Sequence, residues 1–296
     1  MERKTGHDFD QELLILFDAY VHGGLDRRGF LDKAAKFAVG GVTAAMLLEQ
    51  LSPKFLEAQQ VSTKDDRIVA GYAEYDSPNG YGKMRGYLVR PAKAASKKLP
   101  GILVIHENRG LNPHIEDVAR RFALENFIAF APDALFPLGG YPGNEDQARE
   151  LFSKLDQGKT REDFVAATAF LKSRPRSTGK IGAVGFCYGG GMVNYLATRS
   201  TDLAAGVAFY GSAPNLEDVP KIKAPLLIQS AETDPRINAS WPAFEEALKA
   251  ASVKYERHLY PGTQHGFHND TTPRFDAAAA KLAWERTLAI FKKYVR

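Results

Sequence analysis

Short, nearly all-apolar runs recur through most of this chain, and helical stretches lie between them. Gly101-Ile102-Leu103-Val104-Ile105 is one such run, and others cover 127–131, 180–186, 204–210 and 225–230. A strand with no polar alternation has no solvent face, so it must be covered on both sides. Helical patterns at 115–125, 145–155, 160–172, 190–199, 241–251 and 276–294 supply that cover. Strands alternating with helices predict an α/β architecture, a mostly parallel central sheet with helices on both faces. Two further strands, 68–75 and 84–89, open the series through the turn cluster Ser77-Pro78-Asn79-Gly80, and one at 255–260 closes it. The sheet-bearing domain therefore runs over 66–296.

Residues 1–60 follow another pattern, with no strand signal. Phe9, Leu13, Leu14, Leu16, Phe17 and Tyr20 recur at helical spacing, and His22-Gly23-Gly24 stops that helix. A second helix is expected over 34–51, ended by Ser52-Pro53. Two readings of this segment stand side by side. One is a helical extension packed on the main domain. The other is a twin-arginine-type export signal, since Arg27-Arg28-Gly29-Phe30-Leu31 precedes a stretch rich in Gly and Ala. The chain would act in the cytoplasm, or in the periplasm if that signal works. The one long apolar run, 37–48, has 12 residues. A spanning helix needs roughly 18 to 20, so no stable membrane insertion is expected. The net charge of +4 is too small an excess to argue for a nucleic-acid partner. With one cysteine in 296 residues, an intrachain disulfide is excluded, as is a zinc site of two or more Cys.

That cysteine sits in Gly185-Phe186-Cys187-Tyr188-Gly189-Gly190, between a predicted strand and a predicted helix. This is the pattern of a nucleophile elbow with Cys in place of Ser, the signature of the α/β-hydrolase fold. Small flanking residues let strand and helix approach closely, and the helix N-terminus favours a thiolate. An elbow needs an acid and then a base downstream. Asp234, just past the run 225–230, is the expected acid, with Glu232 as its rival. His265, on a glycine-flanked loop after 255–260, is the expected general base, with His268 as its rival. The loop after 101–105 reads His106-Glu107-Asn108-Arg109-Gly110. In such a fold the backbone amides of Asn108 and Tyr188 would form an oxyanion hole. Glu107 adds a carboxylate that would tune the thiol. Phe136, Tyr141 and Phe267 are candidate pocket walls. His265, His268 and Asp270 lack a further placed metal ligand, so neither metal nor cofactor is expected.

Taken together, the loop 106–110, the elbow 185–190, Asp234 and His265-Gly266-Phe267 resemble the dienelactone hydrolase (carboxymethylenebutenolidase) family. The likeness spans about 66–296, with intervals of 47 residues from Cys187 to Asp234 and 31 from Asp234 to His265. It implies a Cys-His-Asp triad that opens a small ester or lactone through an acyl-thioenzyme, with Glu107 holding the thiol at rest. The family's carboxylate-binding arginine shortly after the histidine is missing. Asn269 stands four residues after His265, and Arg109 is the candidate replacement. The first 60 residues have no counterpart in the minimal family enzyme. A non-catalytic ligand-binding protein on the same fold, or a peptidase or acyltransferase with the same triad, remains open at this point.

Overall fold

The computed structural model describes residues 4–94 and 97–296. Eight strands form one sheet: β1 (Ile68–Ser77), β2 (Gly82–Pro91), β3 (Leu99–Ile105), β4 (Ile128–Pro132), β5 (Ser177–Phe186), β6 (Leu203–Phe209), β7 (Leu226–Thr233) and β8 (Tyr255–Gln264). Their order is β1-β2-β4-β3-β5-β6-β7-β8. β2 runs antiparallel to both its neighbours, and β3 to β8 run parallel to one another. Because those six strands point the same way, every segment that follows one of them emerges on the same edge of the sheet. That edge is where ligands bind in open α/β sheets.

Eleven α-helices lie among the described residues. Four precede the sheet: α1 (Gln11–Val21), α2 (Arg27–Ala34), α3 (Ala44–Leu51) and α4 (Phe55–Ala58). The others are α5 (Pro113–Leu124), α6 (Glu145–Ser153), α7 (Gln157–Lys172), α8 (Tyr188–Arg199), α9 (Pro235–Asn238), α10 (Trp241–Ala250) and α11 (Ala277–Tyr294). Strand β3 shows why its run carries no polar alternation. Ile102 and Val104 pack with Val118, Phe122 and Phe291 of α5 and α11. Leu103 and Ile105 point to the other face, with Phe164, Leu171 and Leu196 of α7 and α8. Both faces are core.

The N-terminal helices have a small core of their own, built from Leu13, Leu14, Phe17, Tyr20, Phe30, Leu47, Leu48 and Leu51. The helix expected over 34–51 is interrupted. A turn through Gly40 and Gly41, both at positive φ, separates α2 and its short 3-10 extension from α3. Asp26 caps α2 by accepting from the Gly29 amide at 2.7 Å, which places the arginine pair in a helix first turn. The segment is anchored to the sheet domain by buried polar bonds. The Val61 amide donates to Asp117 Oδ1 at 2.8 Å, Arg120 Nε donates to the Val61 carbonyl at 2.8 Å, and the Lys54 amide donates to the Thr271 carbonyl at 2.8 Å. No helix of the described residues is long and apolar enough to cross a membrane.

Candidate active site

Cys187 sits at the turn from β5 into α8 with φ 54° and ψ −111°, a backbone state that a non-glycine residue adopts only under constraint. The flanking glycines explain how the turn closes. A Cβ on Gly185 would lie 2.0 Å from the Gly189 carbonyl oxygen, and one on Gly189 would lie 2.2 Å from the Ile105 carbonyl oxygen. No side chain fits at either position. The Cys187 amide is held by the Phe209 carbonyl at 3.0 Å. Tyr188 opens α8, so its amide has no intrahelical acceptor and stays available at the turn.

The ends of β7 and β8 bring the acid and the base together. His265 Nδ1 lies 2.6 Å from Asp234 Oδ2, with both side chains buried. Asp234 uses its other oxygen to cap α9, accepting from the Ile237 amide at 3.3 Å. It is thus both a helix cap and the partner of the imidazole. The rivals lie elsewhere. Glu232 is exposed and accepts from the Gly262 amide at 2.7 Å. His268 is stacked between Phe186 and Trp284, where burial pushes its pKa down to about 3. Asp270 pairs with His114 and Arg121, away from His265.

One imidazole at this site was not singled out by its sequence context. His22, at the C-terminal end of α1, places Nε2 3.2 Å from Cys187 Sγ. Its Nδ1 lies 2.8 Å from the Asp18 carbonyl oxygen and 3.3 Å from the Asp18 carboxylate. Its ring packs edge-on against that of His265, with centroids 4.6 Å apart. The sequence read His22 as part of a helix stop. The available signal was Asp18 four residues earlier, one helical turn away and on the same face. Arg236 Nη2 stands 3.1 Å from His22 Nε2 and 3.4 Å from His265 Nδ1.

This surrounding sets the thiol's charge. Burial pushes Cys187 up, but the charges of His22 and His265 and the hydrogen bond to His22 outweigh it and bring the pKa from 9.0 down to about 5. Burial pushes His265 down, and the thiolate and Asp234 outweigh that, raising it to about 10. Burial likewise pushes Asp18 up, but His22, His265 and Arg274 hold it well below the usual carboxylate range. The sulfur thus lies beside two imidazoles, each backed by a carboxylate, and both favour its charged form.

Glu107 lies in the wall of the same cleft, and its Oε2 accepts from Asn269 Nδ2 at 3.0 Å. The thiol's hydrogen-bond partner here is His22. Asn269 holds this glutamate from the position where the arginine was missed. Arg109 is buried in the cleft wall and donates to the Val21 carbonyl at 3.1 Å and to Asn108 Oδ1 at 2.8 Å, with Glu145 3.5 Å away. The Asn108 side chain also donates to the Val21 carbonyl, at 3.1 Å. The cleft, about 460 Å³, is lined by α1 residues Phe17, Tyr20 and Val21 as well as by Tyr141 and Arg274. Two expected pocket walls are corrected. Phe267 is fully buried in the core against Phe209, Tyr210 and Tyr260. Phe136 packs under the Arg85 guanidinium. Both rings gain more from burial in those places than a polar cleft offers.

Known proteins match the chain in two separate stretches. The model of the dienelactone hydrolase family matches residues 84–295, and that of the YqhI-like family matches residues 1–37. A protein of Escherichia coli K12 called "Putative carboxymethylenebutenolidase" is 30% identical over 249 residues, covering 79% of this chain and 90% of its own length. A second protein of that strain, "Putative hydrolase fragment YghX", is 56% identical over 115 residues, 39% of this chain and 97% of its own. A crystal structure of a "Putative Dienelactone Hydrolase" from Klebsiella pneumoniae superimposes with TM-score 0.68 at 29% identity, covering 77% of this chain and 99% of that one.

Proposed function

Given that the chain belongs to the dienelactone hydrolase family, we propose that it opens a small ester or lactone through a thioester formed on Cys187. One observation carries this reading: a strained elbow thiol with a depressed pKa beside an imidazole whose Nδ1 is held by a buried carboxylate at 2.6 Å. The thiolate attacks the carbonyl carbon, and the amides of Tyr188 and Asn108 receive the developing oxyanion. Asp234 keeps His265 in the tautomer whose Nε2 faces the sulfur. His265 gives its proton to the leaving oxygen as the C–O bond breaks, and in a lactone that oxygen stays on the acyl chain. It then takes a proton from water, which attacks the thioester, and returns that proton to the departing sulfur or to solvent. Glu107, held by Asn269, adds a negative charge to the cleft wall, and Arg109 and Arg274 add positive ones. A cleft of about 460 Å³ roofed by α1 suits a small molecule better than a folded polypeptide.

The test is single-turnover hydrolysis of an activated acetate ester and of a dienelactone, with intact mass recorded in parallel. Wild type should turn over with a transient acyl adduct, and Cys187→Ala should show neither. Full activity in Cys187→Ala would sink the proposal. Absence of both turnover and adduct in wild type would instead favour a ligand-binding protein that keeps the fold.

A further inference from the structure

The sulfur of Cys187 and a ring nitrogen of each of His22 and His265 all lie within 4.8 Å of one another. These three side chains come from three separate parts of the chain, and their arrangement exceeds what a triad needs. His265 Nε2 is buried and has no hydrogen-bond partner among the described residues. His22 Nε2 is already 3.2 Å from the sulfur. Each imidazole has its Nδ1 turned onto an aspartate, Asp18 or Asp234, which leaves both Nε2 atoms to converge on one point. A carboxylate behind a histidine that offers its other nitrogen inward is the outer shell that orients histidines on metals.

We propose that Cys187, His22 and His265 form a binding site for a thiophilic divalent cation of the zinc class, with the fourth position open to the cleft. One thiolate and two imidazoles suit such an ion in charge and softness. Metal–sulfur and metal–nitrogen bonds of about 2.3 and 2.1 Å place tetrahedral ligand atoms about 3.5 Å apart. With no separation above 4.8 Å, the widest closes by about 1.3 Å at most, and the 3.2 Å between His22 Nε2 and the sulfur opens slightly. The hydrated ion gives up three waters, and any proton on the sulfur or on either Nε2 passes to solvent. No electron is transferred. Arg236 Nη2 stands 3.1 Å from His22 Nε2, and its exposed side chain must leave that nitrogen for the ion to seat.

The ion ties α1 to the sheet edge and occupies both the nucleophile and the base. On the hydrolase reading, it therefore switches the enzyme off reversibly. Binding itself does not depend on that reading.

The experiment uses the full chain, stripped with a chelator and dialysed. Zn²⁺ is titrated by calorimetry, and Co²⁺ serves as a spectroscopic probe. One ion should bind per chain, with a thiolate-to-cobalt charge-transfer band that Cys187→Ser abolishes. His22→Ala and His22→Gln should each loosen Zn²⁺ at least about tenfold while retaining the wild-type circular dichroism. Should either variant misfold, X-ray absorption of the zinc-loaded wild type decides, with one sulfur and two imidazoles expected. Binding that is not stoichiometric, a cobalt spectrum without a thiolate band, or an affinity unchanged in folded His22 variants overturns the proposal. None of these readouts needs a substrate, so they stand or fall apart from the ester hydrolase reading.

Discussion

Removing His22 should weaken the thiolate of Cys187, by an amount that can be worked from its neighbours. The thiol falls from 9.0 to about 5, against a burial cost that pushes it up. Four units correspond to about 5 kcal/mol in favour of the charged form. Two imidazoles share that work, both through charge and His22 also through a hydrogen bond. Because they also offset the burial cost, together they lower it by more than this net amount, so deleting His22 should bring the thiol to about 7 or above. The sign is that of an acid losing a positive partner: its pKa rises. At pH 6 the wild type is then about 90% thiolate and the variant about 10% or less. A more basic thiolate is also a better nucleophile, so the variant's rate at high pH should exceed the wild type's severalfold. Absolute rates at one pH therefore mislead, and the midpoint of the profile is the quantity to read. Iodoacetamide alkylation followed from pH 4 to 10 should show that midpoint moving up by at least about two pH units. A wider cleft in the variant would raise the rate at every pH alike and leave the midpoint where it was. An unmoved midpoint, or one that moves down, refutes the claim that His22 supports the thiolate.

Other consequences are open to measurement. Asp234→Asn keeps an oxygen for the α9 cap but removes the charge behind His265. kcat on an activated ester should drop by about 10³ or more with KM little changed, and steady-state kinetics check it. Phe30 is fully buried in the N-terminal core, so Phe30→Ala should destabilise that segment by about 3–5 kcal/mol. Limited proteolysis should then cut within 1–60 before the sheet domain, and the alkylation midpoint should move in the same direction as in His22→Ala.

Much of the sheet was legible because local rules and global fold agree there. Runs such as 101–105 are apolar at every position since both faces of β3 are core. The elbow around Cys187 was legible for a steric reason, since only glycine tolerates the approach of Gly189 to Ile105 and of Gly185 to Gly189. Asp234 and His265 were legible as residues past strand ends, and parallel strands bring such ends to one edge. Phe136 and Phe267 were misread as pocket walls because an aromatic ring beside a site motif carries no local mark of which way it points. The bond from Asn269 to Glu107 spans 162 residues, and that from His22 to Cys187 spans 165. No periodicity or spacing reports a contact between segments that meet only when the N-terminal core docks over the cleft. By itself, then, the sequence determined the strands, the tight turn at Cys187 and the placing of Asp234 and His265 just past strand ends, because those follow from backbone sterics and apolar patterning. Which side chain holds the resting thiol was decided only by tertiary packing, because a hydrogen bond depends on position in space and α1 reaches the sulfur from the far end of the chain.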